Sequence, residues 1–252
     1  QLNNDNLLYA SINRGYKTGG VNTDGSLPDH LREFEPEFVI NYEVGYKVNL
    51  LNNKAYLRTA VFYMNREDVQ VKTSSTNVRP DGSAEFIDYL GNAAKGVNKG
   101  VEIDGAWNIT DNIELYGALG LLNTEFTDFI NAEGDNLSGR EQAHAPNYQF
   151  NLGVNYYLTE QWLVNLSIDG KDEFYFSDSH NQKSDSVTLA NASVSYMQSN
   201  WQIRVWARNL LDEDYTNRGF YFGNDPRDGY TAKGYQQYAE PMVIGATLDY
   251  QF

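Results

Sequence analysis

The sequence predicts an all-β protein, a transmembrane antiparallel β-barrel with about ten strands in this chain. Three observations carry this. Apolar residues recur at every second position over membrane-sized spans. Short turns alternate with long polar loops. Aromatic residues gather toward the short-turn end of the strands.

In a strand, period two places alternate residues on opposite faces. Soluble sandwiches show such a strand occasionally. A membrane barrel needs it in every strand, with lipid outside and water or a plug inside. Weaker alternation starts near Leu7. Phe38, Ile40, Tyr42, Val44, Tyr46 and Val48 then alternate with mostly polar residues. In the segment from Ala55, Arg58 is expected to face inward, leaving Leu57, Thr59 and Val61 outward. Val101, Ile103, Gly105, Trp107 and Ile109 form the next set, and a weaker one starts near Ile113. Phe150 to Leu158 and Trp162 to Ile168 alternate cleanly, a weaker set starts near Ala190, and Trp201 to Ala207 follows. The last runs Met242, Ile244, Ala246, Leu248, Tyr250, Phe252.

Short turns are expected at 51–53, 110–112, 159–161 and 198–200. Long loops are expected at 17–37, 73–95, 131–145, 177–186 and 212–238. Short turns at one end and long loops at the other is the outer-membrane arrangement, with the long loops outside the cell. Trp107, Trp162, Trp201, Tyr250 and Phe252 then lie where an interfacial aromatic girdle belongs.

Composition agrees. Mean hydropathy is −0.58, too low for a helical membrane protein. A barrel hides its apolar surface in alternation. With 19 Tyr, 12 Phe and 4 Trp the chain has the aromatic residues a barrel needs. The absence of cysteine rules out disulfides and thiolate metal sites. A net charge of −15 argues against nucleic acid as a partner. The chain opens Gln-Leu-Asn-Asn without a signal peptide, so it is expected to be a mature form or a piece of a longer protein. No linker divides it, and residues 1–252 are read as one domain.

Particular residues resemble the barrel of TonB-dependent outer-membrane receptors, in the iron-complex branch. Tyr9-Ala10-Ser11 followed by Arg14-Gly15-Tyr16-Lys17, Gly19-Gly20 and Asn22 is similar to a strand of that family. So are Pro36-Glu37 with Tyr42-Glu43-Val44-Gly45-Tyr46-Lys47, then Ala60-Val61-Phe62-Tyr63, and Gly96-Val97-Asn98-Lys99-Gly100-Val101-Glu102. Asn209-Leu210-Leu211-Asp212 with Tyr215 resembles the signature before the last loop, and Leu248-Asp249-Tyr250-Gln251-Phe252 the closing strand. Pro241-Met242 departs from the Pro-Arg often found there. The resemblance implies the C-terminal part of a barrel of about 22 strands. The plug domain that contacts TonB and the earlier strands would lie outside these residues. It also implies the cell outer membrane, lipid contact, coupling to the TonB complex through the missing plug, and a small-molecule ligand such as a ferric siderophore. Haem, cobalamin and oligosaccharides stay open as ligands.

Two other functions compete. An omptin-like outer-membrane protease would use His30, His144 or His180 with Asp178 or Asp185, His180 with Asp178 being the plausible pair. A passive porin would line an anion path with Arg204 and Arg208, unless these pair with Glu102, Asp104 or Asp169 on other strands, or with a plug. No catalytic residue, resident metal or cofactor is expected. Ligand-binding candidates are Arg140, His144, Tyr175, Phe176, Arg218, Tyr221, Arg227 and Tyr230. They sit in loops or at strand tops, and Arg with aromatic rings suits anionic, catechol-like or sugar ligands. Gly45, Gly100, Gly120 and Gly153, on inward positions, are expected to leave room for a plug or for neighbouring side chains.

Overall fold

The alternating segments become one antiparallel sheet. The computed structural model describes residues 2–79, 84–130, 136–178 and 180–252. In chain order the strands are β1 (Asn6–Lys17), β2 (Gly20–Val21), β3 (Glu33–Phe34), β4 (Glu37–Leu50), β5 (Ala55–Val78), β6 (Ala84–Asn108), β7 (Ile113–Phe129), β8 (Tyr148–Tyr157), β9 (Trp162–Lys171), β10 (Val187–Met197), β11 (Trp201–Arg208), β12 (Thr216–Phe222), β13 (Lys233–Tyr238) and β14 (Val243–Tyr250). Ten of them form the sheet, in the order β1-β4-β5-β6-β7-β8-β9-β10-β11-β14. These are the ten segments picked out by alternation. β1 and β14 are the two sheet edges and do not pair with each other, so the barrel is not closed. No α-helix is present among the described residues.

Strand register turns the sequence pattern into a surface. One row of paired residues runs Leu50, Ala55, Trp107, Leu115, Val154, Leu166, Ala192, Ala207, Ile244 across nine strands. Every member is apolar. A second row, Ala10, Val44, Val61, Val101, Leu121, Tyr148, is the same. Ile12, Val61, Leu152, Val205 and Ile244 on this face are all more than half exposed. A soluble monomer rarely exposes contiguous apolar patches beyond a few hundred Å². Lipid is the solvent that suits this face.

The opposite face is largely polar, and many of its side chains bond one another. Asn151 and Asn191 each donate to Asp169 at 2.5 Å. Asn155 donates to Glu114 at 2.7 Å, and Asn165 to the Tyr116 hydroxyl at 2.8 Å. The Tyr9 hydroxyl donates to Glu43 at 2.8 Å. Arg58 faces inward as expected and lies 3.9 Å from Asp104. Two inward glycines serve their neighbours. A Cβ on Gly45 or on Gly153 would fall 2.2 Å from the ring of Tyr9 or Tyr116, so each glycine lets an aromatic ring lie flat on the adjacent strand. Arg204 and Arg208 do not pair with Glu102, Asp104 or Asp169. Arg208 instead meets Glu240 at 3.1 Å and stacks on Trp206. Its position at the strand end puts the loop acid within reach, whereas Asp169 is already taken by two asparagines.

The short turns lie at one end. Leu51, Asn52 and Asn53 all take left-handed backbone, which asparagine tolerates better than most residues. At this end Trp162, Tyr196 and Trp201 meet in sequence as tilted rings, at 4.8 and 5.6 Å, and Tyr250 meets Phe252 at 4.9 Å. Trp201 pairs with Tyr250 in register. Four of the five expected girdle residues thus lie side by side at the ends of β9, β11 and β14, joined by Tyr196, while Trp107 lies at the same end on β6, paired in register with Ala55 and Leu115.

The long-loop end departs from expectation. Residues 73–95 were expected to form a loop, yet β5 and β6 continue as a paired ribbon beyond a bulge near Asp68. Val69, Val71 and Ala94 there bury against Phe126 and Phe129, with Leu137 packed beside them. The run of Lys, Thr and Ser through 72–76 conceals this alternation in the sequence. Likewise β12 pairs with β13 inside the last loop, and β2 with β3 inside the first. Residues 80–83, 131–135 and 179, parts of three expected loops, lie outside the described residues.

Candidate ligand-binding loops

Three long connections converge at one end of the sheet: 130–147, 172–186 and 209–242. The last is pinched at its neck. Asn209 and Asp212 both have positive φ, an arrangement that Asn and Asp accommodate. The buried Asn209 side chain donates to the carbonyls of Glu213 and Glu240 and accepts from the Glu213 N–H. Asp212 accepts from the Met242 N–H at 2.7 Å. These are the Asn and Asp of the sequence signature before the last loop. They bring the two ends of a long insertion together over strands β11 and β14.

Arg140 joins the first two connections. Its guanidinium lies 4.1 Å from the centroid of the Tyr175 ring. It donates to the carbonyls of Ser177 and His180 and to Asn181, while its Nε is buried without a partner. The backbone helps: the His144 N–H donates to the Tyr175 carbonyl at 2.9 Å. Lys183 spans the same seam, 2.9 Å from Glu173 and 3.6 Å from Glu141. The third connection rests on the second. Phe176 is buried, its ring against Gly219, and His180 lies 5.7 Å from Tyr221.

The structure thus brings together five of the sequence candidates: Arg140, His144, Tyr175, Phe176 and Tyr221. Phe176 offers almost no surface, being 4 % exposed. Arg218, exposed, stacks on Phe220, and Arg227 pairs with Asp225 at 2.8 Å at the tip of the last loop. Tyr230, with positive φ, holds the loop against Gly223 through its backbone.

Two features were missed. Glu37 is buried and accepts from Arg66, Lys17 and the Gln70 N–H, and Arg66 donates onward to Gln142. Gln142 itself bonds Thr124 and Asn98, so this network ties the 130–147 connection to the strand tops. The Pro36-Glu37 dipeptide was its only sequence signal. The second is Lys171, whose ammonium lies 5.1 and 5.9 Å from the rings of Phe174 and Tyr215. It is the last inward-facing residue of β9 and is separated from Tyr215 by more than forty residues.

The geometry does not assemble the alternative hydrolytic pair. Asp178 accepts from the Ala143 N–H at 2.7 Å, and His180 Nδ1 accepts from the Gln182 N–H at 3.2 Å. Neither is bonded to the other. Burial pushes the Asp178 carboxyl up, against the Ala143 N–H and the Arg140 charge, which lower it. Burial and then Arg140 hold His180 below the usual imidazole value. Both groups work in the seam between loops. Among the described residues no set of three His, Asp or Glu side chains is placed to hold a metal ion.

A family model described as "TonB dependent receptor-like, beta-barrel" matches residues 1–210. The chain belongs to this family. It is 22% identical over 227 residues to the pesticin receptor of Yersinia pestis, covering 88% of this chain and 32% of the relative. It is 23% identical over 222 residues to the metal-pseudopaline receptor CntO of Pseudomonas aeruginosa, covering 84% of this chain and 28% of that one. The crystal structure of the ferric yersiniabactin uptake receptor FyuA from Yersinia pestis superposes with a TM-score of 0.78 at 22% identity, over all of this chain and 36% of that protein. The chain therefore spans about a third of the length of the curated relatives it matches. These relatives are receptors rather than enzymes. The family is one of outer-membrane β-barrel receptors, with siderophore and metal receptors among its members.

Proposed function

We propose that this chain is the C-terminal part of the barrel of an outer-membrane active-transport receptor. The receptor captures a scarce nutrient, with a ferric siderophore as the first expectation, and imports it with energy from the TonB complex acting through a plug domain. The observation that carries this reading is the assembly of three long loops on the barrel rim. Arg140, Tyr175, His144 and Tyr221 meet there on a scaffold with a lipid-suited outer face. Binding groups on loops held by a rigid frame are the usual way a capture site is built. Cation and ring chemistry suits an anionic, aromatic chelate. Membership of a family that contains siderophore and metal receptors points the same way. Arg218, Arg227 and Tyr230 in the last loop are proposed to make first contact outside the cell.

Equilibrium binding to the purified full-length receptor tests this. Saturable, one-to-one binding of a ferric siderophore from a panel, with no cleavage of peptide substrates, is expected. Peptide cleavage, or large steady conductance in a planar bilayer without saturable binding, would replace this reading with the protease or the porin.

A further inference from the structure

One inward-facing row of the sheet runs Tyr9, Gly45, Ala60, Glu102, Gly120, Gln149, Lys171, Val187. Within it the wall is hollowed. Gly120 differs from the glycines that seat a neighbour's ring: a Cβ there would meet nothing closer than the Gln149 carbonyl, at 4.0 Å. With Ala118 beside it, Gly120 floors a recess of about 510 Å³ whose polar walls are Gln149, Asn151 and Asp169. That lies within the roughly 300–1,000 Å³ of small-molecule sites.

Lys171 stands at one end of this recess and Tyr215 beside it. The ammonium is framed by two rings, Tyr215 and the buried Phe174. Tyr215 is held by the pinched neck of the last loop, where its carbonyl accepts from the Ala239 N–H. Among the described residues Lys171 has no carboxylate within ion-pair distance. Asp169, two residues away on the same face, already accepts from Asn151 and Asn191. Glu102 is three strands from Lys171 in the same row, about 14 Å at the usual strand spacing. The recess is thus cationic at one end only, and ring-lined at that end.

We propose that this recess is a subsite for an anionic aromatic group of the imported complex, one that carries phenolate or carboxylate oxygens on a ring. The oxygens meet the Lys171 ammonium, the ring lies against Tyr215, and the space above Gly120 takes the remainder of the group. Asn151 and Gln149 supply neutral hydrogen-bonding walls. The proposal rests on the receptor reading and adds to it a site on the barrel wall, below the loops.

The test uses the full-length receptor and two ferric probes, a trianionic hexadentate tris-catecholate chelate and a neutral trihydroxamate chelate. Lys171→Gln is expected to weaken tris-catecholate binding at least tenfold and to leave trihydroxamate binding within twofold. Lys171→Arg, which keeps the charge, is expected to stay within threefold of the wild type. Gly120→Phe, which fills the recess, is expected to weaken the tris-catecholate while the barrel still assembles and shows its heat-modifiable mobility. Wild-type binding of the tris-catecholate that is unchanged in Lys171→Gln and Gly120→Phe overturns the subsite and leaves the receptor reading intact. Wild-type binding of the trihydroxamate alone also overturns it. Wild-type binding of neither chelate overturns the subsite as well, while the receptor reading stands or falls on the wider panel.

Discussion

Substituting Leu166 and Ser167 in turn separates the two faces of the sheet by a single residue. Leu166 is 50% exposed and sits between Val154 and Ala192, inside the nine-strand apolar row. Ser167 is half-buried and sits between Gly153 and Asn191 on the polar face. Leu166 lies near the middle of a ten-residue strand. An arginine there meets hydrocarbon, at a cost of about 2–4 kcal/mol at the bilayer midplane. At about 1.4 kcal/mol per tenfold, that lowers the folded-to-unfolded ratio roughly 30- to 700-fold. An arginine at 167 keeps its charge in the polar interior, near the Asp169 carboxylate, and is expected to cost about 1 kcal/mol or less. The assay is the fraction of full-length receptor recovered from outer membranes as folded, heat-modifiable barrel. Leu166→Arg should lose most of it and Ser167→Arg little. Equal tolerance of both, or the reverse order, would refute the assigned orientation.

Other outcomes follow from the loop assembly and from the sheet edges. Arg140→Ala removes the donor that reaches Ser177, His180 and Asn181. Hydrogen bonds to a charged group are worth about 1.5–3 kcal/mol each, so amide exchange in the 172–186 connection should rise at least tenfold while barrel assembly is unchanged. His180 has its pKa lowered on folding by burial and by Arg140. Its contribution to loop docking is therefore complete above the unfolded value of about 6.5 and is lost as pH falls through the lower folded value. Protease nicking of this loop should increase over that acidic window, and the increase should be smaller in His180→Asn. Deleting residues 223–229 in the full-length receptor should leave the barrel assembled and reduce ligand uptake; unchanged uptake would make the last loop structural. Residues 1–252 alone in detergent should not give a closed monomeric barrel, because β1 and β14 stay unpaired edges. A stable monomer with protected edge amides would contradict this.

The sheet was legible in the sequence because lipid on one side and polar interior on the other leave no strand free to break period two. Even weak segments such as those from Ile113 and Ala190 took their expected places. Arg58 was readable too, since a single charge in an apolar set marks the inward face. The loop end was not legible in the same way. Its small core is built from Val69, Val71, Ala94, Phe126 and Phe129, contributed by three strands that run past the apolar band. Sequence spacing says nothing about such a meeting. Arg140 and Tyr175 were recognisable by residue type, but their contact depends on two connections folding against each other. Phe176 shows the limit of that reasoning, because an aromatic residue in a loop is as suited to packing as to capture. Lys171 carries no local signal, and Gly120 was readable only as an inward glycine that leaves room. Their relation appears only when β7, β8 and β9 are set in register.

Energised uptake tests the central claim most directly. Cells expressing the full-length receptor are starved of iron and given a radiolabelled ferric siderophore that the receptor binds, with and without a functional TonB. Accumulation with TonB, falling to the background of receptor-free cells without it, is the result expected of an active-transport receptor. Accumulation that is the same in both strains would contradict the account and identify a passive pore.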